Sequence, residues 1–149
     1  MIDIKDLMVG NFVKDPCNPC ELVEVYKVYS FGIGDNWGDY YDKNEIEPIP
    51  VTKEILKKIG FEKDTTAGEP WEFWRYWDKD GRYKLDVYPE ELYCNSNRKF
   101  GLHVDNASCN SIGSGEFTYV HELQNFVRCI TRYSLPIEKE MLYGLGNDA

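Results

Sequence analysis

Hydrophobic residues recur with helical spacing over residues 118–133, the longest such stretch in the chain. The apolar positions, three or four residues apart along one face, are Val120, Leu123, Phe126, Val127 and Ile130. This spacing is typical of an amphipathic helix, whose apolar face needs a surface to cover. We therefore predict a long helix over residues 118–133 that packs on the strands preceding it.

Alternating apolar and polar residues predict an antiparallel β-meander in the middle of the chain. The predicted strands are residues 71–78, 82–88, 92–94 and 100–104. The sequence Asp78-Lys79-Asp80-Gly81 supplies a hairpin loop between the first two strands. Residues 105–116 are rich in Gly, Ser and Asn, so we predict an irregular connection there between the meander and the long helix.

The first fifty residues predict several short strands joined by turns. The expected strands and extended pieces are residues 12–14, 21–31, 40–42 and 46–51. Loops are expected at residues 15–20, which contain two prolines, and at residues 32–39, which are rich in glycine. Short strands this close in sequence favour a small, strongly bent sheet, for which an SH3-like barrel is one architecture.

A short helix is predicted at residues 53–59. Thr52 is a suitable N-cap, and Gly60 occupies the position where a left-handed residue commonly ends a helix. Together these elements predict a single α+β domain over residues 1–149. Its parts are a bent β subdomain at residues 1–51, the short helix, meander and long helix at residues 52–137, and a tail at residues 138–149.

The charge balance narrows the classes of partner. The net charge is −9 at pH 7, and such a surface on average repels duplex nucleic acid and anionic membranes. We therefore expect neither direct nucleic-acid binding nor membrane binding. The first residues are too charged for an export signal, no apolar run is long enough for a membrane span, and the five Cys are an odd number. We expect a cytoplasmic protein with reduced thiols, whose oligomeric state the sequence leaves open.

The residues with catalytic or metal-binding chemistry form no complete motif. Cys17 and Cys20 supply half the ligands of a structural zinc site, and no second pair with that spacing follows. The two histidines are not part of a Ser-His-Asp or Cys-His signature. We therefore expect no metal, no cofactor and, on balance, no enzymatic activity.

The predicted strand at residues 71–78 is aromatic on both faces. One face carries Trp71, Phe73, Arg75 and Trp77, and the other carries Glu72, Trp74, Tyr76 and Asp78. A half-exposed strand is normally apolar on one face only, so either both faces are covered or one is an exposed patch. Such a patch would suit a sugar or a protein interface. The binding candidates on this strand are Trp71, Trp74, Tyr76 and Trp77.

The polar side of the predicted long helix carries a second set of binding candidates, His121, Gln124, Asn125 and Arg128. They form either a recognition surface or a structural one, in which Gln124 and Asn125 satisfy backbone groups of a neighbouring loop. The structural interpretation is favoured because buried loop backbone must find hydrogen-bond partners. Adjacent helical residues diverge by about 100°, so His121 and Glu122 do not form a catalytic dyad.

Three segments carry a likeness to a known family. They are residues 5–13, the phrase EPIPVT with the following EILKKIGF at residues 47–61, and YVHELQN at residues 119–125. These segments resemble small uncharacterised proteins encoded by phages and mobile elements of gut bacteria. The chain departs from them at Val51, where Leu is expected, and at Tyr133-Ser134, where Thr-Gly is expected. The resemblance implies a shared fold and transfers no catalytic role.

We therefore expect a non-enzymatic accessory protein of phage or mobile-element type that binds another protein. Two alternatives stay open. An acidic nucleic-acid mimic would align carboxylates at phosphate-like spacing on one face. A small enzyme or carbohydrate-binding module would use the Trp-rich strand, and an enzyme would in addition have a concave pocket with converging polar groups.

Overall fold

The computed structural model describes residues 2–64, 73–89 and 100–142. Within them are three α-helices, two short 3-10 helices and ten strands in antiparallel sheets, which confirms the α+β class. The α-helices are α1 (Lys53–Ile59), α2 (Val120–Thr131) and α3 (Lys139–Leu142). The strands are β1 (Phe12–Asp15), β2 (Asn18–Glu24), β3 (Lys27–Val28), β4 (Gly32–Gly34), β5 (Tyr40–Asp42), β6 (Glu62–Asp64), β7 (Phe73–Trp77), β8 (Tyr83–Pro89), β9 (Phe100–Asn106) and β10 (Ser111–Phe117).

The described residues cluster into two compact units. The N-terminal unit comprises residues 2–51, 119–125 and 135–142. The meander unit comprises residues 52–64, 73–89, 100–118 and 126–134. The first half of α2 therefore belongs to the N-terminal unit and the second half to the meander unit. No helix within the described residues combines the length and the apolar character needed to cross a bilayer.

The strands of the N-terminal unit form two small open sheets and do not close into a barrel. One sheet is the hairpin β1-β2, and the other has the order β3-β4-β5. A buried apolar cluster underlies these strands: Ile2, Ile4, Leu7, Val13, Val23, Val25, Ile33 and Ile46. The 3-10 helix Ile4–Asp6 contributes to this cluster, so the first residues are part of the core of the unit.

Three sequence predictions for the N-terminal unit are wrong in their boundaries. The predicted loop at residues 15–20 is only a two-residue turn, because β2 already begins at Asn18, opposite Asp15. A two-stranded sheet has only edge strands, and an edge tolerates proline. The predicted strand at residues 21–31 ends at Glu24, and the chain then enters the second sheet. The central strand of that sheet is β4, within the predicted glycine-rich loop.

The meander unit contains a five-stranded antiparallel sheet with the order β10-β9-β8-β7-β6. Strands β7, β8 and β9 match the predicted meander, while the strand predicted at residues 92–94 lies outside the described residues. The prediction of an irregular connection at residues 105–116 is wrong, because β10 pairs with β9 there. Its Gly113 and Gly115 lie under α2. A Cβ atom at Gly113 would lie 3.0 Å from Cδ1 of Ile130, and one at Gly115 would collide with the ring of Phe126.

Helix α1 begins and ends where the sequence predicts. The hydroxyl of Thr52 accepts a hydrogen bond from the Ile55 N–H at 3.2 Å. Gly60 has a φ of 118°, and the Phe61 N–H donates to the Leu56 carbonyl at 3.0 Å. This is a Schellman ending, which only a residue tolerant of positive φ closes without strain.

Helix α2 confirms the long amphipathic helix, with ends two residues inside the predicted ones. Within its apolar stripe, Val120, Leu123 and Val127 are fully inaccessible, and Phe126 and Ile130 are partly buried. At its start the carboxylate of Glu122 accepts the Tyr119 N–H at 3.0 Å, which is the acidic half of a capping box. The second half of the helix packs on the sheet of the meander unit through Phe126 and Ile130.

Candidate functional site

The amide of Gln124 binds the backbone of the loop that precedes β1. Its oxygen accepts a hydrogen bond from the Phe12 N–H at 3.1 Å, and its nitrogen donates to the Gly10 carbonyl at 3.0 Å. Both ends of the amide are therefore used within the N-terminal unit. One side chain satisfies a donor and an acceptor that the β1-β2 ladder does not pair.

Asn125, the next residue of the helix, binds the end of the 3-10 helix Ile4–Asp6 and the loop that follows it. Its nitrogen donates to the Asp6 carbonyl at 2.6 Å, and its oxygen accepts from the side chain of Asn11 at 2.7 Å. Asn11 is only 2% exposed, and its own oxygen accepts the Met8 N–H at 2.8 Å. We name Asn11, Gln124 and Asn125 the amide cluster. Its hydrogen bonds match the structural interpretation of the helix's polar side.

His121 and Arg128, the other two candidates on α2, differ in exposure. The side chain of Arg128 is exposed. His121 is 4% exposed, its ring stacks on Tyr119 with centroids 5.9 Å apart, and its Nδ1 has no hydrogen-bond partner among the described residues. Burial lowers the pKa of His121, and the carboxylates of Glu122 and Asp6 oppose that effect more weakly. The imidazole is therefore a neutral core side chain at pH 7.

Acidification should destabilise the protein through His121. In the unfolded chain a histidine takes up its proton near pH 6.5, whereas in the fold the lowered pKa delays protonation. The stability due to neutral His121 is therefore complete above about pH 6.5 and is lost as the pH falls below it, with a slope of at most about 1.4 kcal/mol per pH unit. Urea unfolding from about pH 7.5 to about pH 5 should show a shallower loss for His121→Gln than for the wild type. Equal slopes would contradict this assignment.

The three candidates of the Trp-rich strand that the structure describes lie in two different environments. Trp74 and Tyr76 are buried on the inner face of the sheet, so they are not available to a partner. Trp77 lies on the outer face and is 60% exposed. Trp71 lies outside the described residues. The two-faced aromatic pattern therefore separates into a core face and an outer face.

The outer face of the sheet already carries cations over its aromatic rings. The guanidinium of Arg75 lies 4.8 Å from the ring centroid of Phe73 and donates to Asp86 at 2.8 Å. The ammonium of Lys84 lies 5.5 Å from the ring of Trp77, and 3.0 Å from a carboxylate oxygen of Asp105.

These contacts also shift the pKa values of the charged groups that make them. The hydrogen bond to Asp86 raises the pKa of Arg75, and the hydrogen bond from Lys84 lowers the pKa of the Asp105 carboxyl. Rings and carboxylates on this face are largely partnered within the chain, so the outer face is a weak candidate for recognition.

A different set of aromatic side chains is open to solvent in the N-terminal unit. The exposed residues are Tyr26, Tyr29, Phe31, Trp37 and Tyr40, which we name the aromatic face. Trp37 is 83% exposed and Phe31 is 66% exposed, the two highest values among the large exposed apolar residues of the described chain. Sequence reasoning missed this set, although its residues cluster between positions 26 and 40.

Two of these rings pack against glycines of the central strand β4. A Cβ atom at Gly34 would lie 3.2 Å from the ring of Tyr29, and one at Gly32 would lie 2.7 Å from Cζ of Tyr40. The two rings contact each other edge to face, with centroids 5.7 Å apart. The rings therefore lie against the backbone of the sheet, while about half of each side chain remains exposed.

Two cavities flank Tyr29, which lines both of them. The first, which we name the groove, has a volume of about 790 Å³. Its lining combines apolar side chains with the charged residues Asp3, Lys5 and Lys43; the apolar ones include Ile2, Ile4, Leu7, Val28 and Phe31. The second, which we name the acidic pocket, has a volume of about 310 Å³ and is lined by Tyr26, Lys27, Asp35, Asp39 and Tyr40 among others. Apolar, aromatic and charged groups therefore meet at one surface.

Neither the cysteines nor a comparison with known proteins assigns a chemical activity to this surface. Cys17 is exposed, and the side chain of Cys20 lies outside the described part of the chain. Within residues 2–64, 73–89 and 100–142, no three His, Cys, Asp or Glu side chains come together as a metal site. No family model, curated protein or solved structure matches the chain.

Proposed function

We propose that the chain is a non-enzymatic protein that binds a segment of another protein at the aromatic face. The observation that carries this proposal is the pair of cavities on either side of the half-exposed Tyr29. Tyr and Trp dominate the energetics of protein interfaces because they bury much apolar area. Rings already packed over Gly32 and Gly34 lose little conformational freedom when a partner binds.

The groove supplies the apolar part of the proposed interface. Among the residues that line the groove, Phe31 is largely exposed, whereas Ile2 and Ile4 are buried in the core of the unit. An apolar side chain of the partner entering the groove would contact that lining and cover Phe31. Burial of this kind contributes about 25 cal/mol per Å² removed from water.

The contacts on the meander sheet give less support to the two alternative functions, an acidic nucleic-acid mimic and a small enzyme or carbohydrate-binding module. On the outer face of the meander, Asp86 and Asp105 are buried beside Arg75 and Lys84, unlike the uncompensated carboxylates that a nucleic-acid mimic needs. A sugar site on the Trp-rich strand would have to displace Lys84 from the ring of Trp77. The accessory role in a phage or mobile element is supported by the resemblance of the three sequence segments.

A comparative affinity capture tests the proposal. Wild-type protein, Phe31→Ser and the matched control Trp77→Ala would be used as baits in extract of the source organism, with quantitative mass spectrometry. Both replaced side chains are exposed aromatics, so thermal melts should show folded variants. We expect wild type and Trp77→Ala to retain one common protein and Phe31→Ser to retain it at least about tenfold less. Equal retention by all three baits would overturn the proposal.

A further inference from the structure

We propose that the acidic pocket binds the basic side chain, lysine or arginine, of the partner segment, while an apolar neighbour of that residue enters the groove. This inference rests on the proposed function, because it names the chemistry of the partner at the same surface. Tyr29 is the wall that the two cavities share. The bound segment would therefore place a cation on one side of Tyr29 and an apolar group on the other.

The carboxylate of Asp35 is held in place by the loop that carries it. One oxygen of Asp35 accepts the N–H groups of Trp37 and Asp39, each at 2.9 Å, and the Asp35 N–H donates to the Asp39 carbonyl at 3.0 Å. The second oxygen of Asp35 and both carboxylate oxygens of Asp39 have no hydrogen bond or ion pair among the described residues. Acceptors are therefore available at the pocket, and the loop fixes the carboxylate of Asp35.

The tyrosine rings supply the second attraction for a cation. A ring face attracts an ammonium or guanidinium group through its quadrupole. The protein contains such a pairing elsewhere, since the guanidinium of Arg75 contacts both the ring of Phe73 and the carboxylate of Asp86. The acidic pocket is likewise lined by aromatic rings, Tyr29 and Tyr40, and by the carboxylate of Asp35, and no cation of the described chain lies over these two rings.

Carboxylates outnumber cations in the lining of the acidic pocket. Burial raises the pKa of the neighbouring Tyr41, and the carboxylates of Asp35, Glu21, Asp39 and Asp15 raise it further. Lys27 is the one cation in the described lining, against two carboxylates. A net charge of −9 on the chain adds long-range attraction for a basic partner.

Titrations followed by ¹⁵N–¹H NMR test the inference. The probe is a tetrapeptide amide of alternating leucine and arginine, and its control carries citrulline, the neutral isostere, in place of arginine. We expect saturable shifts of the Gly34, Gly38 and Asp39 amides with the arginine peptide, and about tenfold weaker binding of the citrulline peptide. Equal affinity of the two peptides, or no binding of the arginine peptide, would overturn the inference.

Variants of opposite sign sharpen the same titration. Asp39→Asn removes a pocket charge and should weaken the arginine peptide at least about threefold, whereas Lys27→Met removes the competing cation and should strengthen its binding. Glu138→Gln, an exposed carboxylate outside the pocket lining, should leave the affinity within error of the wild type. An equal loss in Asp39→Asn and Glu138→Gln would indicate a nonspecific charge effect and would contradict a built pocket.

The peptide titration and the affinity capture fail independently. If no arginine peptide binds but capture of a partner still depends on Phe31, only the assignment of a basic side chain falls. If the peptide binds as expected but all three baits retain the same proteins, the proposed function falls and the cation site remains.

Discussion

Replacing Leu123 with alanine should lower the free energy of unfolding by about 2–5 kcal/mol. Leu123 is fully buried in the apolar stripe of α2, between Val120 and Val127. Alanine removes three carbon atoms from this site, so the protein loses their transfer free energy and retains part of the cavity. Urea unfolding followed by far-UV circular dichroism measures the difference.

The matched control for this prediction is Cys129→Ala on the same helix. Cys129 is exposed, so its replacement should change the free energy of unfolding by no more than about 0.5 kcal/mol. Helix propensity favours alanine at both positions, and any loss at Leu123 is therefore due to packing. If the two variants were equally stable, the assignment of the apolar stripe to the core would be wrong.

The elements that could be predicted from sequence have local signals. Helix α1 is bounded by the Thr52 cap and by Gly60, and both act within one turn of the helix. Helix α2 shows its period over several turns. In strands β8 and β9 the apolar residues at alternate positions are buried. In each case the information lies within a few residues of the element that it specifies.

Two of the strands that sequence reasoning missed, β4 and β10, have glycine at alternate positions. Gly32 and Gly34 in β4, like Gly113 and Gly115 in β10, lie in segments predicted to be loops. In both strands the missing side chain is replaced by another residue's ring or alkyl group, such as Tyr40 over Gly32. Glycine with period two is consistent with a strand that another group approaches closely. The identity of that group is tertiary information and could not be predicted locally.

At the candidate site, too, local sequence reveals some features, whereas others depend on tertiary contacts. The sequence drew attention to Trp77 and its neighbours because aromatic residues occur on both faces of one strand. The packing of Arg75 and Lys84 over that face depends on pairing between strands. The exposed ring of Phe31, by contrast, lies at the end of the strand predicted at residues 21–31. Exposure depends on what covers a residue, which a single segment does not reveal.

Replacing Gln124 with alanine should lower the free energy of unfolding by about 2–3 kcal/mol. The change leaves the Phe12 N–H and the Gly10 carbonyl without the amide that now pairs with both. Phe12 is itself buried, so water replaces the lost acceptor poorly. Urea unfolding at neutral pH measures the loss. An effect within error of the wild type would show that solvent serves this backbone as well as Gln124 does.

Glutamate at the same position separates hydrogen bonding from packing. Gln124→Glu keeps an acceptor for the Phe12 N–H but, when ionised, presents a second acceptor to the Gly10 carbonyl. It should therefore be destabilised at neutral pH and regain stability relative to the wild type below about pH 5, where a protonated carboxyl can donate again. Gln124→Met has a similar shape and no such proton, so its deficit should not vary with pH. If Glu and Met variants showed the same pH profile, the donor to Gly10 would not be what makes Gln124 stabilising.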